Sequence, residues 1–391
     1  MYKAHFTAFL ILLIGFTACN SNNGSRLEKV ESVDLQKADF TFFEDSIDIQ
    51  YAKNFKVDYF SNYKRLAVYS HVNGHEDSSI FFLVKRGTPY PKDVHASQVV
   101  EVPVRKVVAL SNTQVGMLDR LQGLETLRGV EDKNLIPDRT IRKHIESGKI
   151  QEVGGYNKLN EELVIAMKPD VVLYDDMGAS SRNKYPALRS QGICLLPFSD
   201  WQEQTPLGRT EWLKLMALLL DKPERAVQAF ERTTENYNHW VAYADTLDHQ
   251  VNVMCGLPFK GVWYMPGGNS FTAQFIKAAG AQYLNHGNHE TGGFPLDFEV
   301  VYKASKKADV WINTGGIKHM SDLLSLNENY KDFKPVMNQR VYNNNGLEVD
   351  GVNAFWYTGY LNPDLVLHDL IKIFHPEVVQ DSTLTYYRHI E

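Results

Sequence analysis

Between residues 45 and 110 the apolar positions fall at strand spacing, in Ile47-Asp-Ile-Gln-Tyr51, Leu66-Ala-Val-Tyr-Ser70, Ser79-Ile-Phe-Phe-Leu-Val84 and Lys106-Val-Val-Ala-Leu110. The period then changes. Ser111-Asn-Thr113 reads as a helix start, and the apolar positions Val115, Leu118 and Leu121 follow at helical spacing, so residues 106–121 predict a strand-loop-helix unit. A second unit is a capped helix over Asn160–Asp170, followed by the buried strand Val171-Val-Val-Leu-Tyr174 ending at Asp175-Asp176. A third strand, Ile193–Phe198, ends at Ser199-Asp-Trp201. Short apolar strands alternating with helices predict a parallel α/β sheet covered on both faces.

The carboxyl-terminal half repeats the scheme. It offers the strand Val251–Gly256, the loop Met265-Pro-Gly-Gly-Asn-Ser270, the helix Phe271–Ala279, a helix over Leu296–Ala304, the strand Asp309–Asn313, a strand around Val341–Asn343 and the helix Pro363–Phe374. Between the halves lie Leu207–Leu220 and Pro223–Asp245; the second lacks glycine, opens on proline and predicts a helix roughly 35 Å long at 1.5 Å per residue. That length suffices to join two lobes. The expected organisation is residues 1–18 as a signal, 19–44 as a linker, 45–206 as a first α/β lobe with an extra β-rich start, 207–248 as connecting helices and 249–391 as a second α/β lobe.

Composition narrows the function. The 391 residues are 43% hydrophobic and 23% charged with a net charge of −6, which fits neither disorder nor a polytopic membrane protein and leaves no basic run for nucleic acid. The first residues carry one lysine, then about ten apolar residues, too short to span a bilayer but the size of a signal core. Ala18 precedes Cys19, and the chain then turns polar as Asn20-Ser-Asn-Asn-Gly-Ser25. Cys194 and Cys255 sit in buried-looking strands of different lobes and are expected to be free thiols.

The amino terminus resembles a bacterial lipoprotein signal, which implies cleavage after Ala18 and a lipid on Cys19, with Phe16 standing where an aliphatic residue is usual. The body resembles the periplasmic substrate-binding proteins of metal-chelate importers over about residues 100–391. The motifs are Val107-Val-Ala-Leu-Ser-Asn-Thr113, Gly154-Gly-Tyr156 and Asn160-x-Glu162 through Met167-x-Pro169-Asp170 in the first lobe; in the second they are Leu296-Asp-Phe-Glu299-Val-Val301 and Ala308-Asp-Val-Trp311. The closing Asn353-Ala-Phe-Trp-Tyr357 and His375-Pro-Glu377 pieces are similar to those of Bacteroidetes members. The resemblance implies two Rossmann-like lobes joined by a single long rigid helix (class III), no catalysis and no resident cofactor. It also implies a ferric siderophore, haem or cobalamin as cargo, ABC permease and ATPase partners, a periplasmic or envelope location, and a monomer. It places docking carboxylates for the permease at Glu162 and Glu299.

In open α/β sheets, ligands bind beyond the carboxyl ends of the strands. Those ends carry Asn112, Met177, Trp201, Trp263 and Tyr264, and the aromatic run adds Phe355, Trp356, Tyr357 and Tyr360. Aromatic faces suit a large flat chelate, while plugging a lobe core is the alternative for each one. Arg209 is a candidate for an anionic chelate, or else a paired surface charge. His286 and His289 suggest a metal cluster, and with it a hydrolase or chelatase as the competing function, although zinc needs three or four converging ligands. The glycine pair of 265–270 lacks the pattern of a phosphate loop. Asp175 and Asp176 are expected to cap a helix.

Overall fold

Val107–Ala109, Val171–Asp175 and Leu195–Phe198 are buried along nearly their whole length, as their runs of Val and Leu require of strands covered on both faces. In the computed structural model, which describes residues 46–72, 75–155, 158–176, 184–247, 250–378 and 383–391, they belong to a five-stranded parallel sheet. Its order is Gln151–Glu152, Leu127–Val130, Val107–Ala109, Val171–Asp175, Leu195–Phe198. A second sheet runs Gln282–Tyr283, Asn252–Cys255, Val310–Ile312, Val341–Asn343, Arg388–His389, with only the last strand antiparallel. Cys194 and Cys255 are buried free thiols. Cys19 and Met177 lie outside the described residues.

One device begins both sheets. Asp170 precedes Val171 and accepts the amides of Arg105 (2.6 Å) and Lys106 (2.9 Å) at the start of the neighbouring strand. Asp309 precedes Val310 and accepts the amide of Asn252 (2.8 Å) at the start of its neighbour. Each aspartate therefore fixes the register of two central strands through their otherwise unpaired first amides. A short helix leads into each of them. Glu161–Met167 is capped by Asn160, which accepts from the Leu163 amide at 3.0 Å, and it stops where Lys168 turns left-handed before Pro169.

The second of these helices starts later than expected, at Phe298 and not Leu296. Gly293–Leu296 is instead a strand, paired antiparallel with Val262–Pro266. Ile47–Tyr51 is likewise not a strand. Side chains take amides in it and just after it: the Tyr59 hydroxyl accepts from Ile47 (2.8 Å), the buried Glu211 carboxylate from Gln50 (3.0 Å), Tyr51 (2.7 Å) and Ala52 (2.8 Å), and Glu203 from Asn54 at 2.9 Å. The β-rich start is a four-stranded sheet of Phe55–Tyr59, Tyr63–Val72, His75–Lys85 and Val99–Val102.

The helix Pro206–Leu220 is buried on every face, which its apolar run Leu215-Met-Ala-Leu-Leu-Leu220 permits and its charges restrict. Each charge has a partner. Lys214 donates to Glu211 at 2.7 Å and to the Asp48 carbonyl at 2.7 Å, and Arg209 donates to Asp200 at 3.1 Å. The helix Pro223–Ala244 then buries Ala226 in the first core and Tyr237 and Ala244 in the second. Its 22 residues, roughly 33 Å long, thus reach from one core to the other. Two Rossmann-like lobes are thus joined by one long helix.

The lobes also meet directly. Phe355–Thr358 lies across the helix Asn112–Arg120, with the Tyr357 hydroxyl donating to Asp119 at 3.1 Å and Tyr360 donating to the Thr113 carbonyl. Gly116 makes this possible, since a Cβ there would sit 2.0 Å from the Tyr357 carbonyl oxygen. Among the described residues no helix is long and apolar enough to cross a membrane.

Candidate functional site

In the first sheet the strand order reverses between Val107–Ala109 and Val171–Asp175, the topological switch point where open α/β sheets hold their ligands. Its polar groups come from the residues that end those strands. Ser111 follows the first, Asp175 ends the second, and Ser199 and Asp200 follow the neighbouring Leu195–Phe198. Gln114, one turn into the helix behind Ser111, donates Nε2 to Asp175 Oδ1 at 3.1 Å. Its buried Oε1, and the buried Ser199 Oγ, have no partner among the described residues.

Arg209 closes the floor between the lobes. Its Nε donates to Asp200, with side-chain exposures of 8% and 2%, and its guanidinium lies 5.3 Å from the Phe271 ring, 5.6 Å from Trp356 and 5.1 Å from Tyr360. Its Nε is therefore taken. Expected as a group for an anionic chelate, Arg209 is paired and covered by rings, which is how a guanidinium is accommodated out of water. Asp175 and Asp200 share it. Burial pushes the Asp175 carboxyl up, to about 7, helped by the Asp200 and Glu131 charges and opposed by Arg209. Burial also raises Asp200, against the pull of Arg209. Asp175 thus faces Gln114 and the Arg209 pair, and the residues that Asp175 and Asp176 were expected to cap lie outside the described residues.

The aromatic candidates divide by strand parity and packing. In Val262–Pro266, Trp263 points inward and is 1% exposed, packed among Trp311, Tyr330 and Phe333 with Nε1 donating to the Cys255 carbonyl at 3.0 Å. It is a core residue and not a cleft wall. Tyr264, the next residue, faces outward and is 51% exposed. Trp201 and Trp356 are exposed as well. Tyr357, Tyr360 and Phe355 are buried in the joint between the lobes, so they hold it together and offer no face to a ligand. Asn112, half-buried at the helix start, donates to the Leu135 carbonyl at 3.2 Å.

Glu162 and Glu299 are both exposed, each in the first turn of its helix, at matching places in the two lobes. The neighbouring Glu161 is instead engaged by the Ala187 and Leu188 amides. His286 Nδ1 faces the Tyr283 carbonyl at 2.8 Å, and among the described residues no group of three metal-ligating side chains gathers. The glycine pair of 265–270 answers a packing need: a Cβ on Gly267 would lie 2.0 Å from the Glu290 carbonyl oxygen, and one on Gly268 2.0 Å from that of Asn288.

Residues 107–345 match the family of periplasmic binding proteins. The chain belongs to that family. Two curated relatives are lipoproteins of Methanocaldococcus jannaschii. One is 27% identical over 289 residues, covering 72% of this chain and 67% of its own length. The other is 23% identical over 323 residues, covering 79% and 80%. Among solved structures, a periplasmic haem-binding protein from Pseudomonas aeruginosa superposes with a TM-score of 0.53 at 18% identity, over 72% of this chain and 96% of that one. A possible iron-binding protein from Staphylococcus epidermidis gives 0.54 at 18%, over 70% and 99%. These structural likenesses are likenesses of fold. As a periplasmic binding protein the chain is a solute-binding component of ABC import in the periplasm or cell envelope, and not an enzyme.

Proposed function

We propose that this binding protein captures a metal chelate in the cleft between its lobes and hands it to an ABC permease that engages Glu162 and Glu299, while a lipid on Cys19 keeps it at the membrane. The observation that carries the reading is the convergence of both lobes on Arg209 beneath the exposed ring of Trp356, beside the first sheet's switch point. Trp201 and Tyr264 supply further exposed aromatic surface, the kind that holds a large flat ligand with few rotamers to freeze. The haem-binding protein from Pseudomonas aeruginosa and the possible iron-binding protein from Staphylococcus epidermidis share the fold, which supports a chelate as the cargo class.

The paired carboxylates supply docking charge. Such charge sets orientation and encounter rate more than it adds affinity, so its removal is expected to act on delivery and not on capture. A panel of haem, cobalamin and a ferric hydroxamate, followed by tryptophan fluorescence, is expected to give saturable quenching by at least one, with the chelate recovered unchanged. Glu162→Arg combined with Glu299→Arg is expected to keep that affinity and abolish uptake in a strain that depends on the protein. Normal uptake by the double variant, or loss of binding by the purified one, would remove these carboxylates from the docking role.

A further inference from the structure

Resting on the reading of this cleft as the chelate site, we infer that the hairpin of Glu348–Val349 and Val352–Asn353 is a latch across the cleft mouth, one that opens each time cargo enters or leaves. Its turn is suited to the task. Asp350 and Gly351 both have positive φ, 51° and 81°, as a tight two-residue hairpin turn requires, and aspartate and glycine are residues that accept it. The hairpin follows the carboxyl end of Val341–Asn343, so it leaves the second sheet on the side where ligands bind. Lys318 holds its first strand to the second lobe through Glu348 at 2.6 Å, and Asn353 donates to the Asn344 carbonyl at 3.0 Å.

The hairpin crosses to the first lobe. There it meets Lys133–Leu135 and the helix Arg139–Glu146, both beyond the carboxyl end of the strand Leu127–Val130. Arg139 engages Asp350 through Nε (3.1 Å) and Nη2 (2.7 Å), while Arg142 stands 3.6 Å from the same carboxylate and donates to the Val349 carbonyl at 2.9 Å. The receiving loop is tied to the switch point, because Asn112, at the start of the helix behind Ser111, donates to the Leu135 carbonyl at 3.2 Å. The bridge therefore joins the carboxyl ends of both sheets. From Asn353 the chain runs directly into Phe355–Thr358, which carries the exposed Trp356 beside Arg209, so movement of the hairpin reaches the cleft wall within a few residues. Exposed charge pairs hold weakly and are screened by salt, which makes this a contact that yields while the buried joint beneath it stays closed.

The test compares the full chain with Asp350→Asn, which removes the charge that both arginines face and keeps the turn, since asparagine takes the left-handed conformation readily. Association and dissociation rates of haem, cyanocobalamin and a ferric hydroxamate are followed by stopped-flow tryptophan fluorescence. For each chelate that binds, both rates are expected to rise together by about threefold, and by about tenfold when Arg142→Ala also removes the bond to Val349, while Kd moves less than about twofold. Salt at about 0.5 M is expected to speed both rates in the wild type and neither in the double variant. The parallel rise is the signature of a gate, which lowers the barrier in both directions; a side chain that touches cargo changes Kd instead. Unchanged rates in the double variant, or a change confined to one of them, overturn the latch and leave the chelate reading standing. If none of the three chelates binds, the chelate reading falls and amide exchange of the free protein decides the latch. Residues 133–136 and 354–358, on opposite sides of the bridge, are then expected to exchange faster in both variants, and exchange equal to wild type overturns it.

Discussion

Two arginine–carboxylate pairs sit where the lobes approach each other, and they differ mainly in water. At the floor, Arg209 and Asp200 are 8% and 2% exposed, enclosed by rings from both lobes. At the rim, Arg139 of the first lobe reaches Asp350 of the second at 2.7 Å with exposures of 72% and 41%. The rim geometry is the better one, with Nε and Nη2 both engaged. Geometry does not decide strength here, because an exposed pair is screened while a buried one cannot release either member without leaving a bare charge. The floor pair is therefore a fixed part of the fold and the rim pair a contact that opens at little cost.

The largest effect that would break this comparison comes from removing one member of the floor pair. Asp200→Ala takes from the buried guanidinium its hydrogen-bonded carboxylate, leaving Asp175 and the aromatic faces, and is expected to destabilise the protein by about 3 kcal/mol. Replacing both members, with Arg209→Leu in the same chain, is expected to restore most of that loss, since the penalty belongs to the orphaned charge more than to the missing bond. Urea denaturation of the single and double variants reads both. A double variant no more stable than the single one would mean that the pair contributes net attraction of its own.

Asp175 sharpens the comparison through pH. Its carboxyl holds a proton up to about 7 in the folded protein, against 3.8 as its ordinary value. Between those limits the folded chain binds the proton and the unfolded chain does not, so stability falls as pH rises through this window. Asp175→Asn removes the titration and is expected to raise the melting temperature at pH 8, by about 2–4 °C for each kcal/mol gained, with little gain at pH 4. An equal shift at both pH values would assign the effect to packing and not to charge.

The sequence made the scaffold legible because the rules that govern it are local. Pro169-Asp170-Val and Ala308-Asp309-Val mark the two points where an aspartate ties the start of a neighbouring strand, and Asn160 announces its helix by its own side chain. Where partners come from far along the chain, local pattern is silent. Ile47–Tyr51 has strand alternation, yet Glu211, 160 residues away, takes its amides. Trp263 and Tyr264 were equally plausible at the cleft until pairing with Gly293–Leu296 fixed which one faces in. Arg209 looked available because Asp200, Phe271, Trp356 and Tyr360 converge on it only in the folded chain. The one readable hint was that two neighbouring strands, ending in Tyr174-Asp175 and Phe198-Ser199-Asp200, both finish in acid.

The smallest effect belongs to the rim. Arg139 holds the Asp350 carboxyl below its usual range by a charged hydrogen bond, but both groups stand in water and the contact lies within reach of salt. Arg142 remains beside Asp350 at 3.6 Å and keeps its own bonds to the Ile136 and Val349 carbonyls, so the hairpin of Glu348–Val349 and Val352–Asn353 does not lose its hold on the first lobe when Arg139 is truncated. Arg139→Ala is therefore expected to lower the melting temperature slightly at low ionic strength. The difference should vanish near 1 M salt, where the screening length is about 3 Å. Asp200→Ala should show no such salt dependence, because its pair is closed to ions. A salt-independent loss for Arg139→Ala, comparable with that of Asp200→Ala, would mean that the rim pair is as much a part of the lobe joint as the floor pair, and that the two sites do not differ in the way their exposure implies.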